Sequence, residues 1–247
     1  MSIPHVRRTM NPPKHYIFDV DGTLTPSRGR IDKDFSWWFA KFTEQTNVNV
    51  YFVTGSDRPK TVQQIGEYLY HQAKRVYQCA GAEVFTKDDC ISQSDWKASD
   101  HLIRILKVEL KDNEFPLRTG NHIEQRVGLL NFSIVGRNCT LGERKMYVEY
   151  DRLNQDRDKI ASRLRNHFTD IEFKVAGETG IDITPKGGDK SQILKDFNSY
   201  DHIYFFGDKT QFGGNDAEIF DAVNELPCGK GYTVSGWEET WNILKTL

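Results

Sequence analysis

The segment Phe18-Asp19-Val20-Asp21-Gly22-Thr23 closes a short apolar run, HYIFDVDGT at 15–23, and places two carboxylates two residues apart. On extended chain alternate side chains share a side, so Asp19 and Asp21 point toward the crevice beyond the carboxyl end of a parallel sheet, where open α/β folds take their ligands. Paired acids there can hold one hard cation, with a further oxygen ligand from elsewhere in the chain. Three later segments offer groups of matching chemistry. Thr54 in FVTGSD ends a second apolar run, where its hydroxyl can bond a phosphoryl oxygen while Gly55 lets the backbone approach. Lys190 in KGGDKSQIL precedes a helical stretch, and an ammonium beside the positive end of a helix suits an anion. Asp208 in YFFGDKTQFGGND sits at the mouth of another run and can complete a cation site with Asp19 and Asp21. Singly, the last three read as a turn, a solvated lysine and a surface acid; with FDVDGT, the four are hard to explain as chance.

The elements that must position these groups show in the apolar patterning. Runs at 15–23, VNVYFVTGS (48–56), RVYQCAG (75–81), DHIYFFGD (201–208) and GYTVSG (231–236) end in polar or glycine-containing turns, as buried parallel strands do. Helical spacing lies between them at 32–46, where Phe35, Trp38, Phe39 and Phe42 share a face, at 59–72 and at 188–199. This rhythm predicts a doubly wound parallel α/β sheet. It breaks between about 86 and 185, which reads as a helix at 95–112, a strand pair HIEQRV/LLNFSIV turning at Gly128, a helix at 141–168, and a second pair, EFKVAG and GIDITP, turning near Glu178–Gly180. The expectation is a core domain of residues 1–85 and 186–247 with an inserted α+β cap, residues 86–185, built of an antiparallel sheet and helices. Hinges are expected near 82–88 and 183–188.

Composition bounds the function classes. The 247 residues, 38% hydrophobic and 28% charged, are enough for a soluble globular fold that needs no disulfide or metal staple. With 33 Lys+Arg against 35 Asp+Glu there is no basic field, so a nucleic-acid partner is not expected. No stretch of about 18 apolar residues occurs, and no apolar segment follows Arg7 and Arg8, so neither membrane spanning nor export is expected. Residues 1–14 read as a lead-in. Cys79, Cys90, Cys139 and Cys228 form no C-x-x-C pair, which suits a reducing, cytoplasmic setting.

FDVDGT, then VTGS, a lysine and FFGD, in that order, resemble the haloacid dehalogenase-like (HAD) phosphotransferase superfamily, whose core is Rossmann-like. The resemblance implies that Asp19 is a nucleophile forming an aspartyl-phosphate and Asp21 the general acid/base. Thr54 and Lys190 would hold the phosphoryl group, and Asp208 would complete a Mg²⁺ site with the Asp19 side chain and the Asp21 main-chain carbonyl. The physics agrees: carboxylate and phosphate are both anionic, so a dication and an ammonium must screen their repulsion.

Arg126, Arg137 and Arg144 fall within NHIEQRVGLLNFSIVGRNCTLGERKMYVEYD (121–151). Planar guanidiniums match phosphate oxygens and could form a second phosphate site, although spacing alone favours three surface arginines. A second, closer resemblance bears on this: the segment is similar to the cap of the eukaryotic-type phosphomannomutases, sharing Arg-x-Gly-x-Leu-Asn (126–131), Ile-x-Gly-Arg (134–137) and Glu-Arg (143–144). The match extends to DGTLTPSR through Arg28, GSDRPKTVQQIG (55–66), GIDITPKGGDK (180–190) and FFGDKTQFGGND (205–216), most of the chain beyond the first 15 residues. It implies that Arg28, Arg126, Arg137, Arg144, Gly180 and Asp182 surround a sugar phosphate, and that mannose 6-phosphate and mannose 1-phosphate interconvert, in GDP-mannose biosynthesis, through a hexose 1,6-bisphosphate that also acts as activator. Closure of the cap and a cap-mediated homodimer are further implications. Gly180 stands where the family usually has Ser, and Thr54 where it often has Gly, so the phosphoryl-binding hydroxyl belongs to Thr54 or Ser56. Ala222 falls where an acidic residue helps bind an accessory cation, so no second cation site is expected. A HAD-type sugar-phosphate phosphatase would use the same core residues. A non-catalytic sugar-phosphate binder would not need Asp19, Asp21, Lys190 and Asp208 all intact.

Overall fold

In the computed structural model the described residues are 13–27 and 29–247; residues 1–12 of the expected lead-in, and Arg28, lie outside them. The run that ends at Asp19 forms β1 (Lys14–Phe18), with Ile17 and Phe18 fully buried. The Asp32 side chain then accepts hydrogen bonds from the amides of Asp34 and Phe35 and so starts α1 (Lys33–Thr43). Along α1, Phe35, Phe39 and Phe42 recur at helical spacing and are buried, whereas Trp37 faces outward at 70% exposure. After β2 (Val48–Val53) come α2 (Arg58–Ile65) and α3 (Glu67–Gln72), then β3 (Arg75–Gln78) and a hairpin of β4 (Glu83–Thr86) and β5 (Asp89–Gln93). The chain continues through α4 (Asp100–Asp112), β6 (Ile123–Arg126), β7 (Leu129–Phe132), α5 (Leu141–Asn154), α6 (Asp156–His167), β8 (Ile171–Ala176) and β9 (Gly180–Pro185). A 3-10 helix (Lys190–Asp196), β10 (His202–Gly207), α7 (Ala217–Glu225), β11 (Gly229–Thr233) and α8 (Trp237–Leu244) complete it.

The larger sheet runs β11-β10-β1-β2-β3-β4-β5, with every pairing from β11 to β3 parallel. Lys14 lies opposite Val48 on one side and His202 on the other. The chain thus winds outward through β2 and β3, then returns to the far side of β1 as β10, and the switch of direction falls between β1 and β10. The smaller sheet, β6-β7-β9-β8, is antiparallel throughout. This is the expected doubly wound core with an antiparallel α+β insertion.

Contacts divide the chain into two units: one of residues up to Gln78, Phe85–Asp89 and Ile193–Leu247, the other of Cys79–Val84 and Cys90–Gln192. In the first, hereafter the core unit, Phe18, Phe35, Phe39, Phe52 and Phe206 pack with Val50 and Leu69, with the Phe18 and Phe39 rings edge to face at 5.2 Å. In the second, the cap unit, Leu102, Leu106, Tyr147, Ile160 and Leu164 pack with Leu130, Phe132, Phe173, Ile181 and Ile183.

Several elements depart from the sequence expectation. The stretch 59–72 is two helices, because Gly66 turns the backbone to φ 81°. The stretch 141–168 breaks at Gln155, which takes a left-handed conformation (φ 52°) between α5 and α6. The 188–199 stretch forms only the 3-10 helix. The helix expected from 95 begins at Asp100, where Ser99 caps the Leu102 amide. Every residue of β5 is exposed, so its hairpin carries no buried alternation to read.

Phe39 is fully buried between α1 and the sheet. Its replacement by alanine is expected to cost about 3–5 kcal/mol through the cavity left behind. Urea unfolding checks this; a loss below about 1 kcal/mol would mean that the interface does not depend on this ring.

Candidate active site

Asp19 follows β1 and Asp208 follows β10, the two strands that flank the switch point. The Asp19 amide donates to Phe206 O at 2.9 Å, and its side chain is 3% exposed. The chain then turns sharply: Gly22 N donates to Thr25 O, and the amides of Leu24 and Thr25 donate to Val20 O. Gly22 adopts φ 84°, and a Cβ there would collide with Asp208 Oδ2. Its lack of a side chain lets the Asp208 carboxylate approach.

Asp19, Asp208 and Asp216 each present a carboxylate oxygen, and these oxygens lie within 4.8 Å of one another. Asp216 is completely buried, and its Oδ2 accepts the Lys209 amide at 3.2 Å. Gly207 also leaves room for it, since a Cβ there would fall 2.8 Å from Asp216 Oδ2. Three hard oxygen donors so close together, two of them on buried residues, fit a small divalent cation such as Mg²⁺. Asp216 is not among the metal ligands expected from sequence; its place within FFGDKTQFGGND, in the loop between β10 and α7, is the signal for it.

The Asp21 carboxylate does not join that group. It accepts from Gln64 Nε2 at 2.8 Å and Lys60 Nζ at 2.9 Å, and Ser56 Oγ lies 3.4 Å away. Residues 19 and 20 have left the strand, so the alternation expected of extended chain does not carry through to Asp21. The family resemblance gives Asp21 a cation contact through its main-chain carbonyl rather than through this carboxylate.

Thr54, 1% exposed, anchors the end of β2 through its amide to Tyr77 O, and its hydroxyl accepts the Ser56 amide at 3.1 Å. Lys190 is 1% exposed at the start of the 3-10 helix. An ammonium so deeply enclosed must be compensated by negative charge or hydrogen-bond acceptors.

In the cap unit the antiparallel register places Glu124, Asn131, Asp182 and Lys174 in one row across the four strands. Phe132, Ile181 and Val175 form the neighbouring row, and alternation sends them to the opposite, apolar face. Asn131 Nδ2 donates to Asp182 Oδ1 at 2.7 Å. Glu124 accepts from Arg126 at 2.9 Å and pairs with Arg137 at 2.8 Å, so one carboxylate gathers two guanidiniums. Hydrogen bonding to Arg126 holds the Glu124 carboxyl below its usual range. Burial raises Asp182, against the Asn131 hydrogen bond and the charges of Arg126 and Arg137. Arg144, at the start of α5, pairs with Glu178 in the β8–β9 turn at 3.0 Å. Gly180 sits on the polar face, where a Cβ would fall 2.7 Å from Asn131 Nδ2, so a serine here would shift the amide that orients Asp182. The cap unit therefore brings Arg126, Arg137, Gly180 and Asp182 to one sheet face. Neither Asn131 nor Glu124 was singled out from sequence.

The eukaryotic phosphomannomutase family model matches residues 39–247. The chain belongs to that family. It is 32% identical over 239 residues to the phosphomannomutase of Oryza sativa subsp. indica, covering 94% of each chain. It is also 32% identical over 232 residues to that of Galdieria sulphuraria, covering 91% of this chain and 90% of the relative. Among solved structures, a haloacid dehalogenase-like hydrolase from Bacteroides thetaiotaomicron aligns with a TM-score of 0.61 at 13% identity, over 95% of this chain and 99% of that one. The C-terminal domain of a C. albicans trehalose-6-phosphate phosphatase aligns at 0.62 and 15%, over 95% and 92%. At such identities these two speak for the HAD-like fold alone.

Two predictions follow from the packing around these groups. Gly22→Ala should displace Asp208 and weaken Mg²⁺ binding by about 10–100-fold, read by titration calorimetry on the folded variant; unchanged affinity would detach Asp208 from the ion. Asp182 has its carboxyl raised above the ordinary 3.8 on folding, so the native state holds its proton longer than the unfolded chain. Stability contributed by the protonated form is then lost as pH rises from about 3.8 through the folded value. Asp182→Asn should remove that loss and be at least as stable as the wild type at pH 7 in denaturant unfolding, while its stability relative to the wild type falls on acidification.

Proposed function

We propose that the protein is a phosphomannomutase, interconverting mannose 6-phosphate and mannose 1-phosphate through an aspartyl-phosphate on Asp19 and a hexose 1,6-bisphosphate intermediate. The observation that carries this reading is the pairing, within one family member, of the Asp19–Asp208–Asp216 group with a guanidinium-bearing sheet face around Asp182. A phosphatase needs the first alone. Phosphoryl transfer is assigned to the core, residues 1–85 and 186–247, and recognition to the cap, residues 86–185.

In this mechanism Asp19, phosphorylated by the bisphosphate activator, receives a sugar monophosphate: Asp21 takes the proton of its free hydroxyl as that oxygen attacks the phosphorus on Asp19, the bond to Asp19 breaks, and the hexose bisphosphate forms. After the bisphosphate turns around, an Asp19 oxygen attacks its other phosphorus, and the bond from that phosphorus to the sugar oxygen breaks as Asp21 returns the proton, which frees the isomeric monophosphate and leaves Asp19 phosphorylated again. Lys190, with the hydroxyl of Thr54 or Ser56, steadies the phosphoryl oxygens. The Asp19, Asp208 and Asp216 carboxylates and the Asp21 carbonyl would hold Mg²⁺, which when bound lowers the repulsion between carboxylate and phosphate. Arg126, Arg137 and Arg144, with Arg28, would hold the phosphate that is not being transferred, and Asp182 would accept sugar hydroxyls. Glu124 and Glu178 engage three of these guanidiniums, and an incoming phosphate exchanges with them. Exposed Leu141, Met146, Val148 and Leu153 on α5 offer an apolar surface for a homodimer through the cap. Among the described residues no helix is long and apolar enough to cross a membrane; a cytoplasmic location is part of this reading.

Phosphorus NMR with Mg²⁺, mannose 1-phosphate and a trace of hexose 1,6-bisphosphate tests the proposal. Conversion to mannose 6-phosphate that depends on the bisphosphate, and that is lost in Asp19→Asn, is the expected result. Free phosphate as the main product would overturn it.

A further inference from the structure

One helix grips Asp21 at both carboxylate oxygens. Gln64 Nε2 reaches Oδ1 and Lys60 Nζ reaches Oδ2, while Lys60 also donates to Ser56 Oγ at 2.9 Å. Lys60 and Gln64 are four residues apart and share a face of α2. That helix is firmly placed: the Asp57 side chain accepts the Lys60 amide, Pro59 lies in the first turn, and Gly66 ends it. Thr61 Oγ1 ties it to Gln78 Oε1 at 2.9 Å. Gln64 is 3% exposed, and its amide nitrogen also lies 3.3 Å from Thr25 Oγ1 and 3.4 Å from Gly29 O. It therefore joins α2 to the loop that follows Asp21. A carboxylate held at one oxygen can still rotate about its Cβ–Cγ bond; held at both, it keeps one plane.

We infer that Lys60 and Gln64 are positioning residues for Asp21, fixing its carboxylate in one orientation for both proton transfers. The inference rests on the mutase reading above. In that reaction the intermediate turns around while Asp21 stays, so a single carboxylate position must serve two different sugar oxygens in succession. Proton transfer demands approach to hydrogen-bond distance in each case, so a freely rotating carboxylate loses rate in both half-reactions.

The test uses Lys60→Met and Gln64→Leu in the full-length enzyme, with kcat and KM for mannose 1-phosphate measured under saturating Mg²⁺ and bisphosphate. Both variants should lower kcat by about 10–100-fold with KM within about twofold. Lys60→Arg should recover most of the loss, and Lys60→Met should cost nothing further in an Asp21→Asn background. A kcat within about twofold of wild type, or an undiminished effect of Lys60→Met in the Asp21→Asn background, overturns the inference, as does a change confined to KM. Should Gln64→Leu fail to fold, the half-exposed Lys60 still decides. Wild-type protein that converts no sugar phosphate overturns the mutase reading, and the inference with it.

Discussion

Crowded negative charge at the carboxyl ends of β1 and β10 is the constraint on which the core is organised. Three carboxylate oxygens within 4.8 Å, two of the three residues buried, repel one another in a poorly screened environment. The surrounding backbone leaves room for them. Gly22 and Gly207 carry no side chain where one would strike a carboxylate, and the Lys209 amide is aimed at Asp216. The parallel register that sets Phe18 beside Phe206 brings the two chain ends together in the first place. Such a site suits a dication, which offsets that charge.

The cap unit solves a different problem, with few groups that act on their own. Its polar sheet face is a row of mutually oriented side chains, in which Asn131 aims Asp182 and Glu124 gathers Arg126 and Arg137. Each guanidinium already has a carboxylate partner, which keeps the forks ordered. The opposite face is largely apolar and rests on α4, α5 and α6 through Leu106, Tyr147 and Leu164, so the polar row has a packed base.

Much of this was legible in the residues. The apolar runs that precede Asp19, Thr54 and Asp208 are strands because they are buried on both faces, and continuous hydrophobicity records that directly. The arginines around Asp182 became legible through family motifs, since spacing alone does not say which side chains share a sheet face. What escaped was set by contacts distant in sequence or by single backbone conformations. Gln155 shows no sign of ending a helix until it adopts a left-handed conformation. Every residue of β5 is exposed, so that strand of the hairpin leaves no pattern of burial to read. Asp216 and Lys60 carry ordinary charges whose partners, Asp19 and Asp21, belong to another part of the chain.

The position of β1 has a consequence for how the chain acquires this structure. Its neighbour β2 follows after one helix, but its other neighbour, β10, begins at His202, after the whole cap has been made. A nascent chain therefore exposes one hydrogen-bonding edge of β1 until β10 has been made, while Cys90–Gln192 can collapse first on local contacts. Arrival of β10 closes the sheet, buries the aromatic ladder of Tyr16, Tyr204 and their neighbours, and delivers Asp208 and Asp216 to Asp19 in the same event. A chain stalled before β10 would hold an open strand edge and lack two of the three clustered carboxylates.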